Sequence, residues 1–308
     1  MRGEIRMSVG TGRISLEKLP LMVVNREFLP ALKISGMADF DRVFHFEGGT
    51  LVKRIKARSV TRVQIGGPDG PRVLYLKRHV GASVAPAEAL AARISGTGIS
   101  PGMAEFDNIC FFRKHGLATV TPVAAGQRRI GPLRYESFLI TESVAPFTSL
   151  EAIIRHDPER FEGRRGRAFK QSVLRAIGEM AARMHAAGFN NRDFNATHIL
   201  IHPEMAADGG ATLALFDLQR VDRKHWMRFR WMIKTMAELI YSMPQPLFDD
   251  KDHRRLFAAY TGHPLRGVRD RFIWRWIHKK VERIARHTEN IRRRREKLSP
   301  EEKEIRPY

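Results

Sequence analysis

The sequence predicts an α+β fold in which a small, sheet-rich half precedes a larger, helical half. Strand-like alternation prevails over residues 40–142, whereas apolar residues recur at helical spacing from residue 143 onwards. The length of 308 residues and the hydrophobic content of 43% suffice to bury one large core or two moderate ones. We therefore expect an N-terminal extension over residues 1–39, the sheet-rich half over 40–142 and the helical half over 143–308.

Four apolar runs in the first half have the length and composition of strands. Turn residues at 48–49 and 66–70 separate the first three runs, and short turns between consecutive strands favour an antiparallel meander. We predict strands over residues 43–46, 61–65, 73–76 and 137–141.

Helical spacing indicates one helix among these strands and several in the second half. Residues 102–116 carry apolar side chains three and four positions apart, and the segment ends on Gly116, a residue type that commonly caps helices. Residues 170–187 place Val173, Ile177 and Met184 on one face. We predict further helices over residues 231–242 and 271–295.

A short polar segment, residues 188–198, lies between two of these helices and is followed by two strand-like runs, 199–201 and 213–216. The Gly- and Asp-bearing residues 206–210 join the runs, which predicts a hairpin. A hairpin returns the chain to where it started, so we expect Asp217 in the neighbourhood of His198.

The charge of the chain indicates a polyanionic partner. Lys and Arg number 54 against 33 Asp and Glu, which gives a formal net charge of +21. Nucleic acid, an anionic membrane surface and a phosphorylated ligand all fit this charge, and charge alone does not choose among them.

Cysteine usage and the N-terminus indicate where the protein resides. Cys110 is the only cysteine, so the chain forms no internal disulfide and holds no zinc cluster built on thiolates, as is typical of a reducing compartment. The first twenty residues lack the apolar core of a signal peptide, and no apolar run approaches the roughly 20 residues that span a bilayer. We expect a cytoplasmic protein that does not span the membrane.

Four short motifs bring together the residue types that phosphoryl transfer uses. Lys77 ends the apolar run 74–76, and Glu105 follows it by 28 residues within the predicted helix 102–116. The segment 191–193 reads Asn-Arg-Asp and is followed five residues later by His198, and the segment 216–220 reads Phe-Asp-Leu-Gln-Arg. Such transfer needs cations around the phosphates and a carboxylate that positions and deprotonates the accepting hydroxyl.

The order of these motifs resembles that of the protein-kinase-like fold, and within it the lipopolysaccharide core heptose kinases, or InaA-type lipopolysaccharide kinases. The resemblance covers residues 40–242, and its RDxxxxH and DLxR patterns are more similar to this family than to eukaryotic protein kinases, which carry Asn in place of His198. It implies a two-lobed fold. The N-lobe would be residues 40–142, and the C-lobe, 143–308, would carry the catalytic loop and a basic C-terminal helix.

The resemblance also implies roles for individual residues and the cofactors ATP and Mg²⁺. Lys77 would hold the α- and β-phosphates with Glu105 as its ion-pair partner, and Asp217 would bind Mg²⁺, which prefers oxygen ligands. Asp193 would accept the hydroxyl proton, with Arg192 beside it as a charge partner. His198 is either a metal ligand or an orienting N–H donor.

Further residues are candidates for contacts with the phosphates and the adenine of the nucleotide. The chain has no GxGxxG motif, so Lys53, Arg54 and Arg58 either replace its backbone amides or form a solvated hairpin face. Residues 137–144 resemble the hinge between the lobes, where the carbonyl of Glu142 and the N–H of Val144 would bind adenine.

Two departures from the family pattern concern activity. Asn191 stands where the heptose kinases usually have His before Arg-Asp, and Gln219 stands where they usually have His in DLHR. Both keep hydrogen-bonding capacity, which leaves the reaction rate and the acceptor open.

The last strongly basic feature is the segment 265–297, which holds thirteen Lys and Arg against four Asp and Glu. We expect its interleaved aromatic residues to pack on the helical half and its outward charges to suit an anionic membrane surface.

These features lead to one principal hypothesis and two alternatives. The principal one is an ATP- and Mg²⁺-dependent kinase that phosphorylates a sugar hydroxyl of a lipopolysaccharide-core-like glycolipid, peripheral at the inner face of the cytoplasmic membrane. The enzyme alternative is a soluble small-molecule kinase similar to aminoglycoside and choline phosphotransferases, which usually carry His-Gly-Asp in the loop. The other is a non-catalytic kinase-like scaffold for anionic membrane or nucleic acid, against which the four retained residues Lys77, Glu105, Asp193 and Asp217 argue.

Overall fold

A computed structural model describes residues 9–67, 70–206, 209–223 and 227–296, and all their side chains except that of Arg295. Parts of the predicted turn 66–70 and of the tip 206–210, together with Lys297, lie outside the described residues. The chain divides into two compact units. The first holds the described residues up to Ala145 together with Ala214–Gln219, and the second holds Pro146–Leu213 and the described residues from Arg220 onwards.

The first unit is built on an antiparallel sheet with the strand order β2-β3-β8-β9-β6-β5-β4. Its strands are β1 Val9–Gly10, β2 Leu16–Leu19, β3 Met22–Asn25, β4 Thr50–Ile55, β5 Arg58–Ile65, β6 Arg72–Ser83, β7 Thr119–Val120, β8 Pro122–Gly131 and β9 Arg134–Glu142. Its helices are α1 Leu29–Ile34, α2 Phe40–Phe44, α3 Pro86–Ser95 and α4 Pro101–Lys114. The predicted strands 61–65, 73–76 and 137–141 are confirmed within β5, β6 and β9, and the predicted helix 102–116 is confirmed as α4.

Alternation along the central strands gives the sheet one apolar face. Leu74 and Leu76 of β6 and Phe138 and Ile140 of β9 are fully buried in one core cluster, which also contains side chains of α1 and α2. Because successive strand residues point to opposite faces, the residues that alternate with these four, including Lys77, lie on the other face. One face thus forms the core, and the opposite face carries Lys77 together with apolar side chains such as Val60 and Leu139.

The predicted strand 43–46 is wrong. Asp39 caps a short helix there, α2, by accepting a hydrogen bond from the backbone N–H of Arg42. Phe40, Val43 and Phe44 have the i, i+3, i+4 spacing that places them together on the core. The meander is instead formed by β4, β5 and β6.

The two units differ from the expected three-part division. Strand β3 pairs with β8, and Phe28 and Leu32 belong to the core of the first unit, so the described residues before 40 are part of that unit. The segment Ala214–Gln219, expected in the helical half, also belongs to it. There Leu215 pairs in parallel with Thr119 of β7.

The second unit is mainly helical. Its helices are α5 Leu150–His156, α6 Gly163–Ala186, α7 Arg228–Ser242, α8 Asp250–Thr261 and α9 Gly267–Glu296, and its strands are β10 Thr148–Ser149, β11 Phe189–Asn191, β12 Ile199–Met205, the beginning of β13 Ala211–Leu215, and β14 Val221–Arg223. The predicted helices 170–187, 231–242 and 271–295 are confirmed as α6, α7 and α9, and the predicted hairpin as β12 and β13. No helix within the described ranges has both the length and the apolarity to cross a membrane.

A buried histidine connects three helices of the second unit. His185 of α6 is 5% exposed; its Nδ1 lies 2.7 Å from the hydroxyl of Tyr260 in α8, and its Nε2 lies 3.2 Å from the hydroxyl of Thr235 in α7. Burial and the nearby charge of Arg228 lower the pKa of His185 from 6.5 to about 4. The imidazole is therefore neutral in the folded protein at neutral pH.

We expect His185 to make the free energy of unfolding fall with acid between pH 6.5 and pH 4. Below pH 6.5 the unfolded chain takes up a proton at this position while the folded chain does not, so protonation favours unfolding. At one pKa unit per 1.36 kcal/mol, the loss is up to about 3 kcal/mol. The free energy of unfolding, measured by urea denaturation at several pH values, should fall less steeply with decreasing pH for His185→Gln than for the wild type. The same change at His45, whose side chain is exposed, serves as the control, and equal slopes for His185→Gln and the wild type would contradict the assignment.

Candidate active site

Lys77 lies on the face of the sheet opposite the core of the first unit. It is paired across the sheet with Val60 of β5 and Leu139 of β9. Its side chain is 13% exposed, so it is not the solvated lysine that strand ends usually carry. The local alternation of β6 fixes this direction, because Leu74 and Leu76 occupy the core face.

Helix α4 supplies the partner of Lys77. Glu105 is 3% exposed, and both of its carboxylate oxygens accept hydrogen bonds from Lys77 Nζ, at 2.9 and 2.7 Å. The helix comes close to the sheet at Gly102, where a Cβ atom would lie 2.7 Å from the carbonyl oxygen of Phe138. Burial raises the pKa of Glu105, and the ammonium of Lys77 opposes that rise. The predicted ion pair is present, and both of its side chains are largely buried in the first unit.

Asp217 completes this group of charges. Its Oδ1 lies 3.3 Å from Lys77 Nζ, and its Oδ2 lies 3.6 Å from an Nη atom of Arg58. The residue has a φ of +55°, a left-handed conformation that non-glycine residues seldom adopt. Such backbone conformations persist where the surroundings enforce them, and they cluster at functional sites.

Hydrogen bonds on both sides of Asp217 enforce its position. Thr119 Oγ1 donates to the carbonyl of Leu215 at 2.6 Å, and Asn108 Nδ2 donates to the carbonyl of Leu218 at 2.8 Å. Asn108 is one turn after Glu105 on α4, so the same helix positions both carboxylates.

The charged group opens into a cavity of about 260 Å³ within the first unit. The cavity is lined by Arg58, Val60, Tyr75, Lys77, Glu105, Val120, Leu139, Thr141, Glu142, Val144, Phe216 and Asp217. Apolar and aromatic walls with a few convergent polar groups are typical of a small-molecule site.

The predicted hinge residues also line this cavity. The N–H of Glu142 donates to the carbonyl of Thr121 at 2.9 Å, and the N–H of Ser143 donates to the carbonyl of Val73 at 2.8 Å. Val144 follows just beyond the strand, and its N–H has no hydrogen-bond partner among the described residues. A planar ligand with hydrogen-bonding edges could use this donor.

The three cations of the predicted basic hairpin, Lys53, Arg54 and Arg58, lie in different positions relative to the cavity. Arg58 lines the cavity, whereas Lys53 and Arg54 do not. Lys53 is exposed on β4 and pairs with Val60, which places it on the same face of the sheet as Lys77. Arg54 pairs with Ser59 and lies on the other face.

The candidate base Asp193 belongs to the second unit. Its backbone N–H donates to Oδ1 of the buried Asn191 at 2.9 Å, which closes a tight turn. Nη1 of Arg220 donates to its two carboxylate oxygens at 2.9 and 3.3 Å. The carboxylate is thus oriented by an ion pair and keeps further lone pairs for another donor.

Arg192 is not the charge partner of Asp193, contrary to the prediction. Its Nε and Nη2 donate to the two oxygens of Asp222 at 2.9 Å each. The antiparallel pairing of β11 with β14 brings residues 220–222 alongside this loop, and the N–H of Arg192 donates to the carbonyl of Arg220 at 3.0 Å. The bidentate pair therefore holds the loop in place, and Arg220 takes the role expected of Arg192.

His198 ends the same loop. It is half-buried, and its backbone N–H donates to the carbonyl of Asn195 at 3.1 Å. No group of three or more His, Cys, Asp and Glu side chains that could hold a metal ion is found in the part of the chain that the structure describes. The expected metal or orienting role of His198 and its proximity to Asp217 stay predictions.

The sequence interpretation gave no role to Arg220 and left that of Arg58 open. Arg220 is three positions after Asp217 in the motif 216–220, so a signal was present. Arg58 is two residues before Val60 on β5 and so shares its face, a signal that needs the strand register.

The chain is similar to several known proteins. Residues 86–260 match the lipopolysaccharide kinase (Kdo/WaaP) family. The chain is 29% identical over 242 residues to the lipopolysaccharide core heptose(I) kinase WaaP of Pseudomonas aeruginosa, covering 77% of this chain and 86% of that protein. It is 26% identical to an Escherichia coli WaaP over 71% of this chain and 80% of that one. A solved structure of WaaP in complex with acyl carrier protein superposes with a TM-score of 0.64 and 26% identity, covering 85% of this chain and 98% of that chain.

Proposed function

Because this chain belongs to the lipopolysaccharide kinase (Kdo/WaaP) family, we propose that it transfers the γ-phosphate of ATP to a sugar hydroxyl of the lipopolysaccharide core. The ion pair of Lys77 with Glu105 beside Asp217, in a cavity whose walls are partly apolar and aromatic, is the observation that carries the proposal. Its relatives named as heptose(I) kinases align over most of this chain, which supports a heptose as the acceptor.

The nucleotide would lie in the cavity of the first unit. The N–H of Val144 and the carbonyl of Glu142 would bind the adenine edge, and Lys77 would hold the phosphates at the charged end. Glu105 keeps the ammonium of Lys77 fixed, so little side-chain freedom is lost when phosphate binds.

Asp217 is the residue proposed to hold Mg²⁺. It offers carboxylate oxygens to the cavity, and a single carboxylate fits this ion, which is usually held by one or two carboxylates, substrate phosphates and water. When bound, Mg²⁺ neutralises charge on the phosphates. We assign His198 an orienting role, since imidazole is less suited to this ion than oxygen.

Asp193 is proposed to receive the proton of the attacking hydroxyl. Arg220 and the turn closed by Asn191 hold its carboxylate in one direction, and lone pairs remain to accept a hydrogen bond from the sugar. Arg192 acts at a distance from the proton, by fixing the loop through Asp222.

Removing either aspartate should abolish phosphoryl transfer while the chain stays folded. We expect Asp193→Asn and Asp217→Asn each to lower kcat at least 10²-fold, about 3 kcal/mol of transition-state stabilisation. The assay is the mass increase of dephosphorylated lipopolysaccharide core incubated with ATP and Mg²⁺. The exposed Asp41→Asn and Asp157→Asn serve as controls for the two units. Full activity of either test variant would rule out its assigned role.

Nucleotide binding should depend on Lys77. A ligand at 100 times its Kd stabilises the state that binds it by about 2.7 kcal/mol, so ATP with Mg²⁺ should raise the Tm of the wild type clearly and that of Lys77→Ala much less. Lys18→Ala, an exposed lysine on β2 of the same sheet, should behave as the wild type. Equal shifts for all three proteins would favour the scaffold alternative.

We propose further that α9 holds the protein at an anionic membrane surface. Ile273 and Ile277 of this helix are buried, and the half-buried ring of Trp274 packs edge-on against Phe257, so the expected packing on the helical unit accounts for one face. The opposite face is exposed and carries apolar and basic residues four and three positions apart. Its members are Val268, Phe272, Trp276, Lys279 and Arg283.

This outward face combines the two features of interfacial helices. Phe272 and Trp276 are 55% and 42% exposed and contact each other, with Lys279 over the ring of Trp276. Aromatic rings suit the boundary between headgroups and acyl chains, and basic side chains suit anionic lipid. A protein held there would meet a lipid-linked acceptor at the inner face of the cytoplasmic membrane.

Vesicle co-sedimentation checks the membrane proposal. Wild type should bind phosphatidylglycerol vesicles, not phosphatidylcholine vesicles, and lose binding at 1 M salt, where the Debye length is about 3 Å. At about 1 kcal/mol per basic residue, the double change Lys279→Gln, Arg283→Gln should weaken binding by one order of magnitude or more. The charge-matched change Arg164→Gln, Arg165→Gln on α6 should have little effect. Equal losses from both pairs, or tighter binding to DNA than to lipid, would count against α9 as a membrane face.

A further inference from the structure

Arg58 is a cation of the candidate site whose role the sequence left open between replacing a glycine-rich loop and forming a solvated hairpin face. It begins β5, lines the cavity, and lies 3.6 Å from Asp217 Oδ2, while Lys77 lies 3.3 Å from Oδ1 of the same carboxylate. The two cations thus flank Asp217 on opposite oxygens. They are held very differently.

Lys77 is hydrogen-bonded to Glu105, whereas Arg58 makes only a longer ionic contact with Asp217. Lys77 Nζ donates to both oxygens of Glu105 within 2.9 Å and is 13% exposed. The side chain of Arg58 is 37% exposed, and its separation from Asp217 exceeds a hydrogen-bond distance. Its guanidinium can therefore turn towards an incoming anion at little cost.

The hairpin before Arg58 has no glycine to wrap around phosphates. Strands β4 and β5 are joined by a two-residue turn, Lys56 and Ala57, because Ile55 pairs directly with Arg58. The carbonyl of Ala57 accepts a hydrogen bond from the N–H of Val80 at 2.8 Å, which ties the turn to β6. A turn so short and so fastened lacks the run of glycine amides that cradles phosphates in kinases.

Arg58 and Lys77 are the two cations among the residues that line the cavity. Three carboxylates, Glu105, Glu142 and Asp217, also line it, so the cavity has no excess of positive charge before a nucleotide enters. A triphosphate brings several negative charges, and guanidinium matches phosphate oxygens with two parallel N–H donors.

The pKa of the buried His79 is affected by the same two cations, Lys77 and Arg58. His79 faces Arg58 across β5 and β6 and is 6% exposed. Burial first, and then the charges of Lys77 and Arg58, lower its pKa to about 4.

We propose that Arg58 binds the distal phosphates of the nucleotide in place of a glycine-rich loop, exchanging its contact with Asp217 for one with phosphate. Val144 would bind the base, and Arg58 lies with Lys77 beside Asp217, where the β- and γ-phosphates would lie. The inference rests on the proposed ATP-dependent function and deepens it.

Calorimetric titration of the full chain with ATP, ADP and AMP in the presence of Mg²⁺ tests this role. We expect Arg58→Gln to weaken ATP binding at least tenfold, ADP binding less, and AMP binding not measurably. Arg58→Lys should recover part of the loss, because it restores the charge without the paired donors. Arg54→Gln, on the neighbouring strand and the opposite face, should match the wild type.

The outcomes separate the inference from the function on which it rests. Wild-type affinity of Arg58→Gln for ATP, or an equal loss for AMP and ATP, would overturn the phosphate role while leaving an ATP-binding protein. No binding of ATP by the wild type would overturn the proposed function and the role of Arg58 together. Circular dichroism of each variant verifies that the fold is retained.

Discussion

The buried ion pair between Lys77 and Glu105 is the constraint from which the candidate site follows. Burying two charges costs several kcal/mol per ion unless both are paired and hydrogen-bonded, and removing one partner leaves the other uncompensated. Both oxygens of Glu105 are satisfied by one ammonium, and that geometry requires α4 to lie against the sheet. Gly102 permits the approach, because any side chain there would collide with the backbone of β9. A glycine at the start of the helix therefore determines where a carboxylate lies one turn later.

The same helix extends the constraint to Asp217. Asn108 holds the carbonyl after the aspartate, and Thr119 holds one before it, so the left-handed backbone of Asp217 is fixed from both sides. A strained residue needs such support, since strain of 1–3 kcal/mol would otherwise relax. One helix, α4, thus supplies an ion-pair partner and a backbone restraint. Two aromatic side chains of this helix, Phe106 and Phe112, are fully buried and anchor it.

In the second unit, order around Asp193 comes from a small two-stranded ladder. The pairing of β11 with β14 sets Arg192 against Asp222 and brings Arg220 to Asp193. The two arginines of the loop region thereby take different partners: one fastens the loop, and the other orients the carboxylate proposed as base. Only two residues, Leu218 and Gln219, separate the metal-binding candidate from the arginine that orients the base. A short stretch of chain therefore contributes to both units.

The sequence by itself determined the fold class, the family and the members of the ion pair, because the spacing of apolar residues and the order of the motifs can be read directly from the chain. It also gave the strands 61–65, 73–76 and 137–141 and the long helices. Tertiary structure decided what depends on neighbours. The run 43–46 became part of a helix because Asp39 caps it and the core takes its i, i+3, i+4 face. Ion-pair partners followed strand register, which is why Asp193 pairs with Arg220 rather than with adjacent Arg192, and why Arg58 faces Asp217. Adjacent residues in extended chain point apart, so proximity in sequence is a poor guide to which charges meet.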